Sequence, residues 1–342
     1  MRATEIHAPF DVRLADVPDP RLEQPTDALV RVTASCVCGS DLWPYRGENP
    51  VPEPSRIGHE FVGLVEEVGA EVTTVRPGDF VIAPFVISCG ECDRCRAGVQ
   101  TSCRIGQSWG GHTDAGQGER VRVPLADGTL VATPEMPDEA LVPSLLTLSD
   151  VMGTGWHAAL AAGVRPGSTA VVVGDGAVGL CGVLAASRMG AERVVAMSRH
   201  AARQDVARAF GASDVVESRG EDGVAEVLEL TGGTGADAVL ECVGTGPAME
   251  QAFGCARPGG QVGFVGVPHG VEVPVRQMFR TNVGLRGGVA PVRAYLPELL
   301  KDVWSGAIDP GRVFDLELPL ADVAEAYAAM HERRAIKVLL RP

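Results

Sequence analysis

Residues 169 to 199 limit the possible folds more than any other stretch. An apolar, β-branched run, Thr169-Ala-Val-Val-Val173, enters the turn Gly174-Asp-Gly-Ala-Val-Gly179. A small-residue helical segment, Leu180 to Met189, leaves that turn, and a second apolar run, Arg193-Val-Val-Ala-Met197, follows it. This is a strand-turn-helix-strand unit with the spacing of a dinucleotide fingerprint. Gly174 permits the tight turn, Gly176 lets backbone approach a pyrophosphate, and Gly179 lets helix and strand pack closely. The free N–H groups at the helix start, on Ala177, Val178 and Gly179, then face the phosphates. A bare G-x-G-x-x-G says little in a chain with 42 glycines. In this context it predicts dinucleotide binding, against the alternative of an α/β crossover that binds no nucleotide.

The length of 342 residues is too great for one ordinary core and predicts two domains. An apolar fraction of 45%, with 42 Gly and 24 Pro, indicates a turn-rich globular chain and excludes a disordered one. No run of uncharged apolar residues is long enough to span a bilayer, and no signal-peptide core follows Met1, so a soluble, cytoplasmic protein is expected. The net charge of −14 argues against nucleic acid or an anionic membrane as partner and leaves a small molecule.

Residues 1 to 35 alternate apolar and polar positions, as in Ala28-Leu-Val-Arg-Val-Thr33, and predict short strands. Pro77-Gly78 supplies a turn within a further β-rich region. No helical period is sustained before about residue 140, so a β-rich, barrel-like N-terminal domain is expected. The pattern turns helical from Asp138 to Ala162, and strands alternate with helices from Ala191 to Val289, as in a doubly wound parallel sheet. In the tail, Tyr295–Trp304 and Leu320–Met330 predict amphipathic helices, and Ile336–Leu340 a strand returning to the first domain.

The nine cysteines are grouped at metal spacing, not as a disulfide framework. Cys89-x2-Cys92-x2-Cys95-x7-Cys103 places four thiolates on one excursion of backbone, enough to close a tetrahedral structural zinc site with no open position. A second set is dispersed. Cys38, His59 and Asp150 offer a thiolate, an imidazole and a carboxylate, and Glu60 adjoins His59. They form a possible three-ligand zinc set with a vacancy for substrate. Spacing alone does not distinguish this set from structural residues.

The motifs Cys38-Gly-Ser-Asp41, Gly58-His-Glu60, the four-cysteine lobe, Ser149-Asp-Val-Met-Gly-Thr-Gly155 and Gly174-Asp-Gly-Ala-Val-Gly179, in this order, resemble the zinc-dependent medium-chain alcohol dehydrogenases. The match runs over essentially the whole chain. The resemblance implies an α/β protein with a discontinuous GroES-like catalytic domain, residues 1–148 and 290–342, carrying a structural zinc lobe at 89–103. It also implies a Rossmann domain at 149–289, with the active site in the cleft between the two. Two zinc ions per chain follow from it, the catalytic one on Cys38, His59 and Asp150. Glu60 resembles the family's nearby carboxylate that exchanges for water on the metal, and Asp41 the acceptor for the other nitrogen of His59. The chemistry implied is zinc polarisation of an alcohol or carbonyl oxygen with hydride exchange at a nicotinamide. Ser40 resembles the first group of the proton relay. Three positions on, where many relatives carry a relay histidine, this chain has Trp43, so ribose hydroxyl and water are the expected outer relay.

Cofactor preference is expected from what is missing after the second strand. An NAD site needs Asp or Glu there, whereas this chain has Ser198-Arg199, with Arg203 one helical turn on. Ser198 can donate to a 2′-phosphate and Arg199 can pair with it, which resembles the NADP-dependent members and predicts NADP(H) over NAD(H). Val265 and Val267 resemble the segment that meets the nicotinamide, and Lys337 sits where a basic residue often reaches the pyrophosphate. Trp43, Trp109 and Trp156 are candidate walls of an apolar substrate pocket, with core packing the alternative for each. His7, His112, His157, His200, His269 and His331 receive no catalytic role. A homodimer or homotetramer is expected, as in relatives of this length. A reductase of activated C=C or C=N bonds, or a non-catalytic nucleotide-binding structural protein, could use the same scaffold.

Overall fold

A computed structural model describes residues 1–52, 54–110 and 115–342. His112 lies outside the described residues. The chain forms two compact units, Met1–Asp150 with Pro291–Pro342, and Val151–Ala290.

In the first unit the strand Ala28–Cys36 is central. Its inward positions Ala28, Val30, Val32 and Ala34 are buried, as the alternating sequence requires. It pairs antiparallel with Phe61–Val68 and Arg120–Val123. Phe80–Ala83 and Val131–Ala132 extend the sheet on one side, and Lys337–Arg341 and Phe314–Pro319 on the other. The tail therefore does return: Leu339 faces Cys36 and Leu340 faces Ser35 across an antiparallel ladder. A separate sheet joins Arg2–Ala8 to Asp11–Asp16 and Ser55–Arg56. Among the described residues the α-helices before residue 139, Leu42–Tyr45, Asp93–Arg96 and Ala126–Thr129, are single turns and too short to carry a period. The tail helices are Val292–Trp304 and Val323–His331. The latter buries Tyr327 completely.

In the second unit six parallel strands lie in the order Asp214–Val216, Arg193–Met197, Thr169–Val173, Ala236–Glu241, Ala256–Phe264, Gly284–Gly287. The chain builds outward from Thr169–Val173 on one side and then on the other, so the reversal of strand order falls beside the glycine turn. Gly174 has φ of +116°, and a Cβ on Gly179 would lie 2.0 Å from the Gly174 carbonyl oxygen. No side chain larger than hydrogen fits there while helix Ala177–Arg188 leaves the strand at this angle. Among the described residues no helix is long and apolar enough to cross a membrane.

Candidate metal and nucleotide sites

Three elements of the first unit bring together the dispersed donors. Cys38 caps the short turn Gly39–Asp41, His59 and Glu60 lie just before strand Phe61–Val68, and Asp150 follows the helix Val142–Thr147. One ligand atom from each of Cys38, His59, Glu60 and Asp150 lies within 4.8 Å of the others. The Cys38 thiol donates to Asp150 Oδ2 at 3.6 Å, and His59 Nε2 is 3.5 Å from the same oxygen. The other ring nitrogen, Nδ1, is 3.3 Å from Asp41 Oδ1. With Nδ1 as donor, Nε2 presents its lone pair to the cluster.

A further shell fixes these groups. Asp41 Oδ2 accepts the Cys38 backbone N–H at 2.9 Å and Gln117 Nε2 at 3.3 Å, and the Gln117 oxygen accepts from Tyr327 Oη at 3.1 Å. Gln117 and Tyr327 have no local sequence signature. Only the return of the tail to the first unit brings Tyr327 within reach of Gln117. Lys337 differs from its expected place. Its Nζ is buried, donating to Glu60 Oε1 at 2.7 Å and to the Val37 carbonyl at 3.2 Å. Lys337 opens the strand that pairs with Ala28–Cys36, which turns its side chain inward toward Glu60 instead of toward a phosphate.

Glu60 is completely buried, and its second oxygen, Oε2, has no partner. A buried carboxylate oxygen left unpaired is costly, and a cation among these donors would satisfy it. Burial pushes the Cys38 thiol and the Glu60 carboxyl above their usual ranges. Burial acts against charge on His59, but Asp41 and Cys38 outweigh it and hold its pKa well above the ordinary value. One thiolate, one imidazole and carboxylate oxygens suit zinc.

The second cluster is local. Cys89, Cys92, Cys95 and Cys103 come together on a half-exposed excursion, with Sγ separations of 3.5 Å for Cys92–Cys95 and Cys89–Cys103, 3.9 Å for Cys89–Cys95 and 4.0 Å for Cys92–Cys103. Zinc–sulfur bonds of ~2.3 Å in a tetrahedron place sulfurs about 3.8 Å apart. Backbone N–H groups of Cys89 and Cys92 point at the sulfurs of Cys103 and Cys89, at 3.3 and 3.4 Å, as thiolates require. These four cysteines fit one ion with no position left open.

In the second unit the glycine turn opens the helix Ala177–Arg188 at Gly176, whose own Cβ direction is open space. That leaves room for a phosphate over the free N–H groups of Ala177, Val178 and Gly179. Arg199 is exposed and pairs with no acid among the described residues. Ser198 and Arg203, expected as free donors, instead both meet Asp175 of the turn. Val265 is half-buried, with its N–H on the Glu241 carbonyl at 2.9 Å, and Val267 is exposed. Beside them Glu241 is buried. Its Oε1 accepts the N–H groups of Val243 and Gly244 at 2.9 and 2.8 Å, tying the turn after its strand.

Ser40 is half-buried in the turn directly after Cys38. Trp43 is half-buried in the same unit, with the Arg46 guanidinium 6.0 Å from its ring. Trp109 packs edge-on against Phe61 at 5.0 Å and donates from Nε1 to the Pro84 carbonyl at 2.9 Å, which makes it part of the barrel core. Trp156 is buried in the helix Val151–Ala161 of the second unit.

The sequence matches the family described as alcohol dehydrogenase GroES-like domain over residues 24–135 and that described as zinc-binding dehydrogenase over residues 177–305. It is 34% identical to zinc-type alcohol dehydrogenase B of Aspergillus flavus over 351 aligned positions, covering 100% of this chain and 81% of that protein. Among solved structures, alcohol dehydrogenase TADH from Thermus sp. ATN1 superposes with a TM-score of 0.91 at 34% identity, covering 100% of this chain and 99% of that one. A structure titled NAD-dependent alcohol dehydrogenase superposes with a TM-score of 0.87 at 30% identity over the full length of both chains.

Proposed function

The chain belongs to the zinc-binding alcohol dehydrogenases, oxidoreductases that use a nicotinamide cofactor, and from that premise we propose that it interconverts an alcohol and the corresponding carbonyl compound with NADP(H). The observation that carries this is the convergence of Cys38, His59, Glu60 and Asp150 around the partnerless Glu60 oxygen. Cys38 Sγ, His59 Nε2 and an Asp150 oxygen would hold the catalytic zinc, with Glu60 Oε2 as an exchangeable donor beside them. The ion supplies Lewis acidity, polarising the substrate oxygen and lowering the pKa of an alcohol. Asp41 fixes the tautomer of His59. Lys337 balances the Glu60 charge, so that Cys38 and Asp150 alone neutralise a divalent ion in a buried place. Ser40 Oγ accepts the hydroxyl proton during oxidation while its own proton passes on to the ribose hydroxyl and water, and the relay runs in reverse during reduction. The four-cysteine lobe would hold a second, structural zinc.

Arg199 pairs with the cofactor's 2′-phosphate as a planar, charge-assisted contact. The likeness to a structure titled NAD-dependent shows why both cofactors must be assayed. The exposed apolar Val275, Phe279 and Val289, with the edge strand Gly284–Gly287, support a homo-oligomer formed through the second unit. Light scattering at micromolar concentration should give a multiple of 35.7 kDa.

The deciding experiment is a panel of alcohols, carbonyls and an enal, followed at the nicotinamide absorbance with each cofactor. Oxidation of a saturated alcohol with a higher kcat/KM for NADP+ supports the proposal. Reduction of the enal C=C bond without alcohol oxidation rejects it. Arg199→Ala should remove most of the preference, a loss of about 10- to 150-fold for one charge-assisted hydrogen bond.

A further inference from the structure

The phosphate-facing turn carries a carboxylate at its second position, Asp175, where an anion-binding loop gains nothing from negative charge. The structure shows what holds it. Ser198 Oγ donates to Asp175 Oδ2 at 2.9 Å, and Arg203 Nη1 lies 3.3 Å from Asp175 Oδ1 and 3.2 Å from the Asp175 carbonyl. The ion pair is shielded, with side-chain exposures of 12% for Arg203 and 11% for Asp175. Gln204 pins the Ser198 backbone, donating from Nε2 to its carbonyl at 3.0 Å and to Glu217 Oε1 at 2.9 Å. Thus one carboxylate bridges the serine and the arginine that stand at the end of the second strand, where the adenosine ribose of a dinucleotide lies in a doubly wound sheet.

We propose that Asp175 is the specificity-determining residue at the ribose end of the nucleotide site: it ties up Ser198 and Arg203, so that recognition of a 2′-phosphate rests on Arg199 alone. The hydroxyl of Ser198 has one proton, and Asp175 takes it. Arg203 is neutralised by the same carboxylate, and an incoming phosphate is repelled by that charge at short range. The local sum of Asp175, Arg199 and Arg203 is one positive charge, and without the carboxylate it is two. NADPH preference in this chain is therefore held below what its serine and arginines could deliver. The inference rests on the proposal that the second unit binds a nicotinamide dinucleotide at this turn.

The test uses the full-length, zinc-loaded protein with Asp175→Ala, which removes the carboxylate from Ser198 and Arg203, and Asp175→Asn, which keeps an acceptor for Ser198 but removes the negative charge opposite Arg203. Calorimetric titration with adenosine 2′,5′-bisphosphate and with 5′-AMP isolates the 2′-phosphate contribution. Asp175→Ala should tighten the bisphosphate about tenfold or more and leave 5′-AMP within about twofold, with Asp175→Asn between wild type and Asp175→Ala. The ratio of kcat/KM for NADPH over NADH should rise in parallel. An unchanged or reduced ratio in folded Asp175→Ala and Asp175→Asn overturns the inference, as does failure of either nucleotide to bind wild type and variants. If wild type favours NADH but both variants shift toward NADPH, the inference stands and the proposed cofactor preference fails. A wild-type preference for NADPH that the variants do not alter has the opposite meaning.

Discussion

The two cysteine-containing clusters of the first unit hold donors at similar mutual distances but are assembled in opposite ways. The lobe takes all four sulfurs from residues 89 to 103, so closing it costs little chain entropy and needs few contacts from elsewhere. The Cys38, His59, Glu60 and Asp150 cluster gathers its donors from distant segments, Cys38 and Asp150 being 112 positions apart in the sequence. It depends on Lys337, Asp41, Gln117 and Tyr327 to hold them. One cluster is chemically uniform and saturated; the other mixes thiol, imidazole and carboxylate and keeps an unpaired oxygen. A saturated set can only hold a loop. A mixed set with a spare position can exchange a ligand, which chemistry on a bound substrate requires.

Removing donors from the two clusters gives the strongest contrast. Asp150→Ala should lower alcohol oxidation by about a thousandfold or more, since a Lewis acid contributes several kcal/mol to the barrier, while the melting curve keeps its shape and one zinc per chain remains. Cys92→Ala with Cys95→Ala should do the reverse. It should also leave one zinc, but cost on the order of several kcal/mol of stability, because structural zinc binding is folding free energy. Metal analysis with thermal melts and kinetics on both variants checks the pair. A fresh wild type with a single zinc would collapse the distinction.

A smaller effect is expected one layer out. Lys337→Met leaves Glu60 as an unpaired buried charge and should weaken zinc affinity or turnover by about 10- to 100-fold, with the lobe's zinc untouched. Wild-type zinc affinity and activity in a folded Lys337→Met protein would show that Glu60 does not need its counter-charge.

The smallest expected effect is one of thiol reactivity after chelation. The backbone N–H of Arg104, followed by that of Cys95, lowers the Cys92 thiol to about 6, whereas Cys95 is raised to about 12, chiefly by burial. Burial also raises Cys38. At pH 7 most of Cys92 is then thiolate, and limited iodoacetamide should label it before Cys95 or Cys38, as peptide mass mapping would show. Equal labelling of Cys92 and Cys95 would mean that the lobe collapses when zinc leaves.

Legibility followed locality. The parallel strands and the glycine turn at 169 to 199 were readable because period and turn chemistry act within a few residues. Helix Ala177–Arg188 begins at the turn itself, three residues earlier than the apolar pattern suggested, because its first three residues, Ala177, Val178 and Gly179, belong to the fingerprint. The single-turn α-helices Leu42–Tyr45, Asp93–Arg96 and Ala126–Thr129 were invisible, being too short to show a repeat of the helical period. The four lobe cysteines declared themselves by spacing. Cys38, His59 and Asp150 could be grouped only through likeness to a family, and Gln117 and Tyr327 not at all.

By itself the sequence determined the two classes of unit, the nucleotide turn and the lobe, since each is fixed by interactions between near neighbours in the chain. Tertiary structure alone decided which way long polar side chains point. Strand pairing turned Lys337 inward onto Glu60, and the turn between two strand ends laid Asp175 against Ser198 and Arg203. The physical reason is that a buried charge takes whichever partner the fold brings within about 3 Å, at distances in sequence where no pattern can encode the pairing.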